Sequence, residues 1–218
     1  MTTIYVINPN SSEHVTAGID RALDPLRMPG GPVFRSLTLK EGPPGIQTQR
    51  DVDGVIAPLC ALVKELDQTA AAFVIACFSD PGLHSVRETT GKPVLGIMES
   101  GILTALTVGH KFGVIAILAG SIPRHLRAIG AMGLTDRLAA EVPVGLPVVE
   151  LADEAKAFYR MVACGEQLRD RHGANSIVMG CAGMAQYRGR LQDAIGIPVI
   201  EPTQAAAAMA MGRVKLGW

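Results

Sequence analysis

Two cysteines stand where each half of this chain is expected to bring a strand to its end. Cys77 follows the apolar run of residues 72–76, and Cys181 follows a second short run, largely apolar, at residues 175–180. Both runs have the length and the branched side chains of strands that are covered on both faces. Ligands bind at the carboxyl ends of strands in open α/β sheets. Both thiols are therefore candidates for chemistry on a bound small molecule.

The spacing of the cysteines indicates a duplication. Cys77 and Cys181 lie 104 residues apart, and Cys60 and Cys164 are separated by the same number. We therefore expect two similar α/β halves that face each other, each offering one cysteine to a shared cleft.

Two thiols placed in this way have the groups needed to invert a stereocentre next to a carbonyl. A thiolate on one face takes the proton, and a thiol on the other face returns one, so no cofactor is required. A helix N-terminus lowers the pKa of a cysteine. The sequence predicts a helix start after Cys77, with Asp80 as the N-cap and Pro81 at the first helical position. Asp80 is left out of the catalytic set, because its charge would oppose thiolate formation.

Groups beside the cysteines are candidates for substrate binding. The backbone N–H groups of the loops after each cysteine can hold a carbonyl oxygen and the enolate that forms from it. These are the amides of Phe78, Ser79, Ala182 and Gly183. Asn8 ends the first predicted strand, where its amide can meet a ligand; the alternative is that Asn8 and Asn10 only cap the following helix.

A cysteine that ends an apolar strand is most often a packing residue. The matched placement of Cys77 and Cys181 favours a function for this pair, because packing alone gives no reason to keep a thiol at one topological point in both halves. Cys60 and Cys164 fall inside predicted helices, where a small buried hydrophobic role is expected.

Strands and helices alternate along the whole chain, which is typical of parallel βαβ units. The predicted strands are 4–8, 33–39, 72–76, 93–98, 112–118, 141–150, 175–180 and 197–200. Glu99 and Ser100 are expected to cap one helix, and a long helix is predicted over 152–172. We predict an α/β fold of two pseudo-symmetric lobes, each a parallel sheet flanked by helices, with the active site between them. The first lobe is residues 1–98 plus 202–218, and the second is 99–201.

Composition excludes several classes of function. The 218 residues carry a net charge of +0 with no basic run, which argues against nucleic acid as a partner. No apolar run approaches the roughly 20 residues of a membrane helix. We expect a cytoplasmic protein with reduced thiols, since no signal peptide precedes the four cysteines. Ligand spacings for zinc and glycine patterns for nucleotides are both absent, so we expect neither metal nor cofactor. The expected partner is a small-molecule substrate; a homo-oligomer is compatible with the sequence.

Three motifs resemble the Asp/Glu racemase superfamily, and most closely its hydantoin racemase branch. They are Asn-Pro-Asn-Ser at 8–11, Ala-Cys-Phe-Ser-Asp-Pro-Gly-Leu at 76–83 and Gly-Cys-Ala-Gly-Met at 180–184. The resemblance implies two pseudo-symmetric lobes and a cofactor-independent, two-base mechanism between them. It implies catalytic roles for Cys77 and Cys181, and substrate contacts for Asn8 and for the loops after each cysteine.

This chain departs from the branch at three places that concern the pocket wall. Ser79 stands where the branch usually has glycine, Gln47-Thr48 stands where an acidic residue and a serine are common, and residues 116–119 replace a threonine-rich strand end. These changes affect the expected substrate more than the chemistry.

The first interpretation is a racemase of a 5-substituted hydantoin, allantoin or a similar carbonyl compound. An aspartate or glutamate racemase is the alternative, and it needs a cation such as Arg35 or Arg50 for the side-chain carboxylate. Arylmalonate decarboxylases and maleate isomerases belong to the same superfamily. The decarboxylases keep only the second cysteine, so Cys77 favours racemisation. A binding protein without catalysis ranks last, because both cysteines are present.

Overall fold

The computed structural model describes residues 2–147, 150–151 and 153–218. Contacts between Cα atoms divide the chain into two compact units, Met1–Ser100 with Thr203–Trp218, and Gly101–Pro202. Each unit contains one four-stranded sheet in which every strand pairing is parallel. The predicted α/β fold class, with two parallel sheets flanked by helices, is confirmed.

The first unit begins with a strand–helix–strand segment and ends with a helix from the C-terminal part of the chain. Along the sequence its elements are β1 (Thr3–Asn8), α1 (Glu13–Ala22), β2 (Val33–Thr38), α2 (Gln49–Gly54), α3 (Ile56–Leu66), β3 (Ala70–Ile75), α4 (Leu83–Thr89) and β4 (Val94–Gly96). Helix α5 (Ile97–Val108) then carries the chain from the first unit into the second. The strand order is β2-β1-β3-β4.

The second unit repeats this arrangement. It contains β5 (Phe112–Ala116), α6 (Ile122–Ala131), β6 (Leu138–Pro143), α7 (Glu154–His172), β7 (Ser176–Gly180), α8 (Arg188–Ile195) and β8 (Val199–Ile200). Helix α9 (Pro202–Leu216) follows and returns the chain to the first unit. The strand order is β6-β5-β7-β8, which is the order of the first sheet with each strand replaced by its counterpart.

The two sheets also share the same register at the strand that leads to each cysteine. Ile7 of β1 pairs with Ile75 of β3, and Ile115 of β5 pairs with Met179 of β7. Each cysteine comes two residues after the β3 or β7 member of its pair. Cys77 and Cys181 therefore occupy the same topological position in their own sheets.

Apolar strands buried on both faces supply the core of each unit, as parallel sheets require. In the first unit Phe73 and Ile75 pack with Leu59 and Val63 of α3. In the second unit Ile177 and Met179 pack with side chains of α7 and α8.

Several predicted helix and strand boundaries were wrong, because contacts with residues distant in sequence determine where these elements begin and end. The helix after Cys77 begins at Leu83, not at Pro81, and its N-cap is Gly82, with a φ of 64°, instead of Asp80. Strand β4 ends at Gly96, and α5 starts at Ile97, so Glu99 and Ser100 lie inside this helix instead of capping it.

Two predicted segments touch residues that the structure does not describe. The strand expected over 141–150 is found at Leu138–Pro143; the Val148 and Val149 of that prediction lie outside the described residues. The helix expected over 152–172 begins at Glu154, with Asp153 as N-cap, and Ala152 lies outside the described residues. Its end is confirmed, because Gly173 terminates it in the left-handed conformation.

Candidate active site

Cys77 lies just beyond the carboxyl end of β3, half-buried against the apolar core of the first unit. The residue before it is tied to the sheet, because the Ala76 N–H donates to the Ile7 carbonyl oxygen at 2.8 Å. The residues after it turn back at once. The N–H groups of Ser79 and Asp80 both donate to the Cys77 carbonyl oxygen, at 2.8 and 3.0 Å. This tight turn fixes the backbone that carries the thiol.

The loop amides named as candidate substrate donors differ in what they already contact. The Ser79 N–H is bonded within the turn at Cys77, whereas the side chain of Ser79 remains partly exposed. Phe78 is buried. Contact of Phe78 and Ser79 with a substrate remains a prediction.

Asp80 clamps the Cys77 loop onto the start of α5. Its carboxylate accepts the N–H of Met98 at 2.9 Å and the N–H of Glu99 at 2.8 Å. These are two of the N–H groups that a helix leaves unsatisfied in its first turn. Asp80 therefore does act as a helix cap, but for α5 and from eighteen residues away, not for the helix that follows it.

The backbone at Asp80 and at Gly96 allows these two hydrogen bonds, which we call the Asp80 clamp. Asp80 has a φ of 42°, in a left-handed region that aspartate tolerates better than most residues. A Cβ on Gly96 would lie 2.2 Å from the Asp80 carboxyl carbon, so only glycine leaves room for this side chain. Asp80 and Gly96 are thus adapted to hold the Cys77 loop.

Burial of the carboxylate raises the pKa of Asp80 from 3.8 to about 7. The hydrogen bonds from the Glu99 and Met98 N–H groups lower it, the negative charge of Glu99 raises it, and the guanidinium of Arg87 lowers it. Arg87 also forms an ion pair with Glu99 at 2.5 Å. The clamp is therefore sensitive to pH near neutrality.

Asn8 is fully buried at the end of β1, and its side chain organises the loop that follows. Its Nδ2 donates to Asn10 Oδ1 at 2.9 Å and to Thr16 Oγ1 at 3.0 Å. Its Oδ1 accepts the Asn10 N–H at 3.2 Å. The N-cap of α1 is Ser12, which accepts the Val15 N–H. Asn8 thus supports the helix start indirectly, and a contact with substrate remains a prediction.

The loop after β2 packs against the loop after β1. The Ser11 N–H donates to the Pro43 carbonyl oxygen at 2.9 Å, and a Cβ on Gly42 would lie 2.1 Å from the Pro9 carbonyl oxygen. Further on, Thr48 caps α2 in a capping box with Asp51. Gln47 and Thr48 therefore lie directly before the first turn of α2.

Cys181 occupies the matching position in the second unit, directly after β7. It is half-buried and extended, with a φ of −161°, and a 3₁₀ turn at Ala182–Tyr187 follows it. Strand β7 reaches this point through a close approach to β5. A Cβ on Gly180 would lie 2.5 Å from the Ile115 carbonyl oxygen, so the residue before the cysteine must be glycine.

The surroundings of Cys181 favour the protonated thiol. Loss of contact with water on burial raises the pKa of the Cys181 thiol to about 11, although part of the residue's surface is accessible. The Gly183 N–H donates to the sulfur and lowers the pKa, whereas the carboxylate of Glu201 raises it. Glu201 is buried directly after β8, the strand next to β7. Gly183 thus contacts the thiol itself, and Ala182 is buried beside it; substrate contacts for both remain predictions.

The other two cysteines lie within helices. Cys164 of α7 is buried in the core of the second unit, and its thiol donates to the Pro143 carbonyl oxygen at 3.6 Å. Burial raises the pKa of this thiol to about 11. Cys60 of α3 is half-buried against the core of the first unit. Both contact core side chains, as expected for packing residues.

Across residues 2–147, 150–151 and 153–218, no group of three or more His, Cys, Asp or Glu side chains is arranged to hold a metal ion. Within the same residues, no helix combines the length and the apolar character that crossing a membrane requires.

Comparison with known proteins gives matches over almost the whole chain. The family model described as Asp/Glu/Hydantoin racemase matches residues 4–210. A hydantoin racemase from Paenarthrobacter aurescens is 34% identical over 219 residues, which cover 99% of this chain and 92% of that protein.

Solved structures give the same result. The allantoin racemase from Pseudomonas fluorescens has a TM-score of 0.94 and 26% identity, covering 99% of this chain and 92% of that one. The allantoin racemase from Klebsiella pneumoniae has a TM-score of 0.91 and 29% identity, covering 100% and 89%.

Duplicated parallel sheets that each lead to a half-buried cysteine, taken with these matches, define an enzyme of the isomerase class, a racemase. The chain belongs to the Asp/Glu/Hydantoin racemase family. The resemblance found in the three sequence motifs is therefore confirmed.

Proposed function

We propose that this protein racemises a 5-substituted hydantoin or an allantoin-like compound without metal or cofactor, using Cys77 and Cys181 as an acid/base pair. One observation carries the proposal. Two sheets of the same strand order and register each place a half-buried thiol two residues after the matching strand pair. Packing requires no such repetition, whereas a reaction that exchanges protons on two faces of one carbon does.

The proposed reaction moves one proton off the substrate and another one on. The Cys77 thiolate takes the hydrogen of the carbon next to the carbonyl as a proton, and the electron pair of the broken C–H bond passes to the carbonyl oxygen as an enolate. The Cys181 thiol then protonates the same carbon from the opposite face and becomes a thiolate. Nothing is oxidised or reduced. The reverse direction uses the same two groups in exchanged roles.

The electrostatics of Cys181 support its role as the proton donor in the direction in which Cys77 takes the proton from the substrate. Its raised pKa keeps it a thiol at neutral pH, and the Gly183 N–H is already in place to stabilise the thiolate that donation creates. The negative charge of Glu201 disfavours the Cys181 thiolate and therefore opposes loss of the thiol proton before substrate needs it.

The substrate class is inferred from the relatives and from the cations of the first unit. The matched relatives are named hydantoin and allantoin racemases, whose printed substrates are cyclic or ureido carbonyl compounds. An aspartate or glutamate racemase would need a cation for the side-chain carboxylate. Arg35 lies in the middle of β2, opposite Tyr5, and Arg50 is exposed on α2. Neither placement favours a free amino acid.

The decisive experiment measures racemisation and proton exchange in matched cysteine variants. Cys77→Ser and Cys181→Ser should each lose racemisation of 5-benzylhydantoin or allantoin by polarimetry. One of them should retain one-way exchange of the substrate hydrogen in D₂O. Cys60→Ser is the control, since it removes a half-buried thiol from the first unit without touching the proposed pair. Circular dichroism verifies the fold of each variant.

Full activity in either Cys77→Ser or Cys181→Ser would overturn the two-cysteine mechanism. Racemisation of aspartate or glutamate in preference to both hydantoins and allantoin would overturn the substrate class. Loss of activity on dialysis against EDTA, restored by a metal ion, would overturn cofactor independence.

A further inference from the structure

The residue three positions after each cysteine differs between the two units. In the first unit it is Asp80, whose carboxylate holds the Cys77 loop to the first turn of α5. In the second unit it is Met184, which is fully buried and whose thioether is only a weak hydrogen-bond acceptor. The loop after Cys181 therefore needs another anchor.

The loop after Cys181 is a 3₁₀ turn that is long for its kind. It covers six residues, Ala182–Tyr187, and the Met184 N–H donates to the Cys181 carbonyl oxygen at 3.1 Å. Runs of 3₁₀ structure longer than three or four residues are uncommon, because their hydrogen-bond geometry is poor. Contacts from outside the turn must therefore help to stabilise it.

Tyr187 ties the end of this turn to another part of the second unit. Its side chain is buried, with 1% of its surface exposed, and its hydroxyl donates to the Leu151 carbonyl oxygen at 2.7 Å. Leu151 is also buried, and it lies three residues before α7 begins at Glu154. A buried tyrosine hydroxyl usually has such a partner. The bond joins the turn to a segment 36 residues away in sequence.

Helix α7 also holds the ring of Tyr187. The ring stacks on Phe158, with 6.4 Å between the ring centroids and 27° between the ring planes. The Arg190 guanidinium of α8 lies 4.4 Å from the Phe158 ring centroid and forms an ion pair with Glu154. Aromatic pairs and cation–π contacts of this kind are attractive. They limit the movement of the ring, so the hydroxyl stays aligned with Leu151.

We propose that Tyr187 is a positioning residue for the Cys181 thiol. It acts through the turn, because its bond to Leu151 fixes the turn that presents the Gly183 N–H to the sulfur. That N–H favours the thiolate, which Cys181 becomes when it gives up its proton. The catalytic part of this inference rests on the proposed function, whereas the effect on the thiol does not.

Tyr187→Phe removes the hydroxyl and keeps the ring. In a Cys77→Ser background, the midpoint of the pH profile for alkylation of Cys181 by iodoacetamide should rise by about half a unit, because the thiolate loses stabilisation. The midpoint is compared because a change in accessibility alters the rate at every pH alike. With both cysteines present, Tyr187→Phe should lower kcat about tenfold and leave KM within about twofold.

Tyr5→Phe is the matched control, because it deletes a hydroxyl of similar burial from the first unit. Tyr5 is 5% exposed, and its hydroxyl lies 2.8 Å from Thr69 Oγ1. This variant should change neither the alkylation midpoint nor kcat. Mass spectrometry identifies the alkylated cysteine, and urea unfolding measures the loss of stability in each variant.

An alkylation midpoint that does not rise in Tyr187→Phe would overturn the positioning role. Equal losses of kcat in Tyr187→Phe and Tyr5→Phe would overturn it as well. If Tyr187→Phe does not fold, Phe158→Leu loosens the ring and keeps the hydroxyl; its midpoint should also rise, and an unchanged midpoint overturns the role. Absence of racemisation by the parent protein would overturn the proposed function alone, and the alkylation midpoint would still decide the role of Tyr187.

Discussion

The carboxylate of Asp80 accepts the backbone N–H of Met98 at 2.9 Å, and this bond joins the loop of Cys77 to the first turn of α5. A second bond to the Glu99 N–H completes the cap. Asp80 thus fixes the backbone of the loop that carries the Cys77 thiol.

Replacing Asp80 with asparagine should weaken the clamp, because an amide offers one acceptor oxygen for two N–H donors. We expect Asp80→Asn to lower the free energy of unfolding by about 1 kcal/mol and to lower kcat more than it raises KM. Urea unfolding and polarimetric kinetics measure both effects. Glu88→Gln removes the same charge from an exposed site on the adjacent helix and should change neither. An unchanged kcat in Asp80→Asn would contradict the positioning role.

The raised pKa of Asp80 predicts a distinct pH dependence of stability. Its pKa is 3.8 when unperturbed and about 7 in the folded protein. Between these values the folded state holds a proton that the unfolded state has lost, so stability falls as the pH rises from about 4 to about 7. In Asp80→Asn this contribution is absent, and the difference in unfolding free energy between the variant and the parent should change across that window. Urea midpoints at a series of pH values test this; parallel curves would contradict it.

Gly96 leaves the space in which the Asp80 carboxylate sits. Gly96→Ala places a Cβ 2.2 Å from the carboxyl carbon, so the clamp has to open. The variant should unfold at a lower urea concentration and lose kcat, like Asp80→Asn. Gly54→Ala is the control, since a Cβ there meets nothing within 4 Å. Equal urea midpoints and equal kcat values for Gly96→Ala and Gly54→Ala would show that the close packing at Asp80 does not contribute to stability or activity.

Glu201 raises the pKa of the Cys181 thiol. In a Cys77→Ser background, alkylation of Cys181 by iodoacetamide should be slow at neutral pH and accelerate towards pH 11. Glu201→Gln should shift that profile to lower pH, because the like charge is gone. Mass spectrometry of the modified peptide identifies the residue. Glu166→Gln, on the exposed side of α7, is the control and should leave the profile unchanged. An unshifted profile in Glu201→Gln would contradict the electrostatic coupling.

His125 and Glu141 form a buried pair in the second unit, with 2.8 Å between Nδ1 and Oε2 and each side chain 1% exposed. His125→Ala would leave the carboxylate without this partner, and should lower the free energy of unfolding by about 3 kcal/mol. His125→Gln keeps a donor and should lose less. The exposed His110→Ala serves as the control in urea titrations. A loss no larger than that of His110→Ala would show that the pair contributes little.

Local sequence patterns predicted the elements of the fold because each strand and helix carries its own periodicity and its own breakers. The end of α7 at Gly173 and the strands before Cys77 and Cys181 were predicted for this reason. The start of α5 was not, since its cap lies eighteen residues earlier in sequence.

Local sequence patterns also predict only part of the candidate site. The two thiols stand out by type and spacing, whereas the roles of Asp80 and Gly96 depend on contacts that no local pattern reveals. The sequence does contain both Asp80 and the glycine that ends the next strand. Their contact can be recognised only when the order of the strands in the sheet is known.

Asn8 and Ala116 end the matching strands of the two sheets, and the hydrogen bonds of Asn8 have no counterpart at an alanine. The matching strand orders of the two sheets are typical of a duplicated scaffold whose copies differ in their loops. Each copy is free to evolve its own loop while the common strands keep the sulfur in place. The two units can therefore differ in the side chains that surround the sulfur while they keep the same strand order.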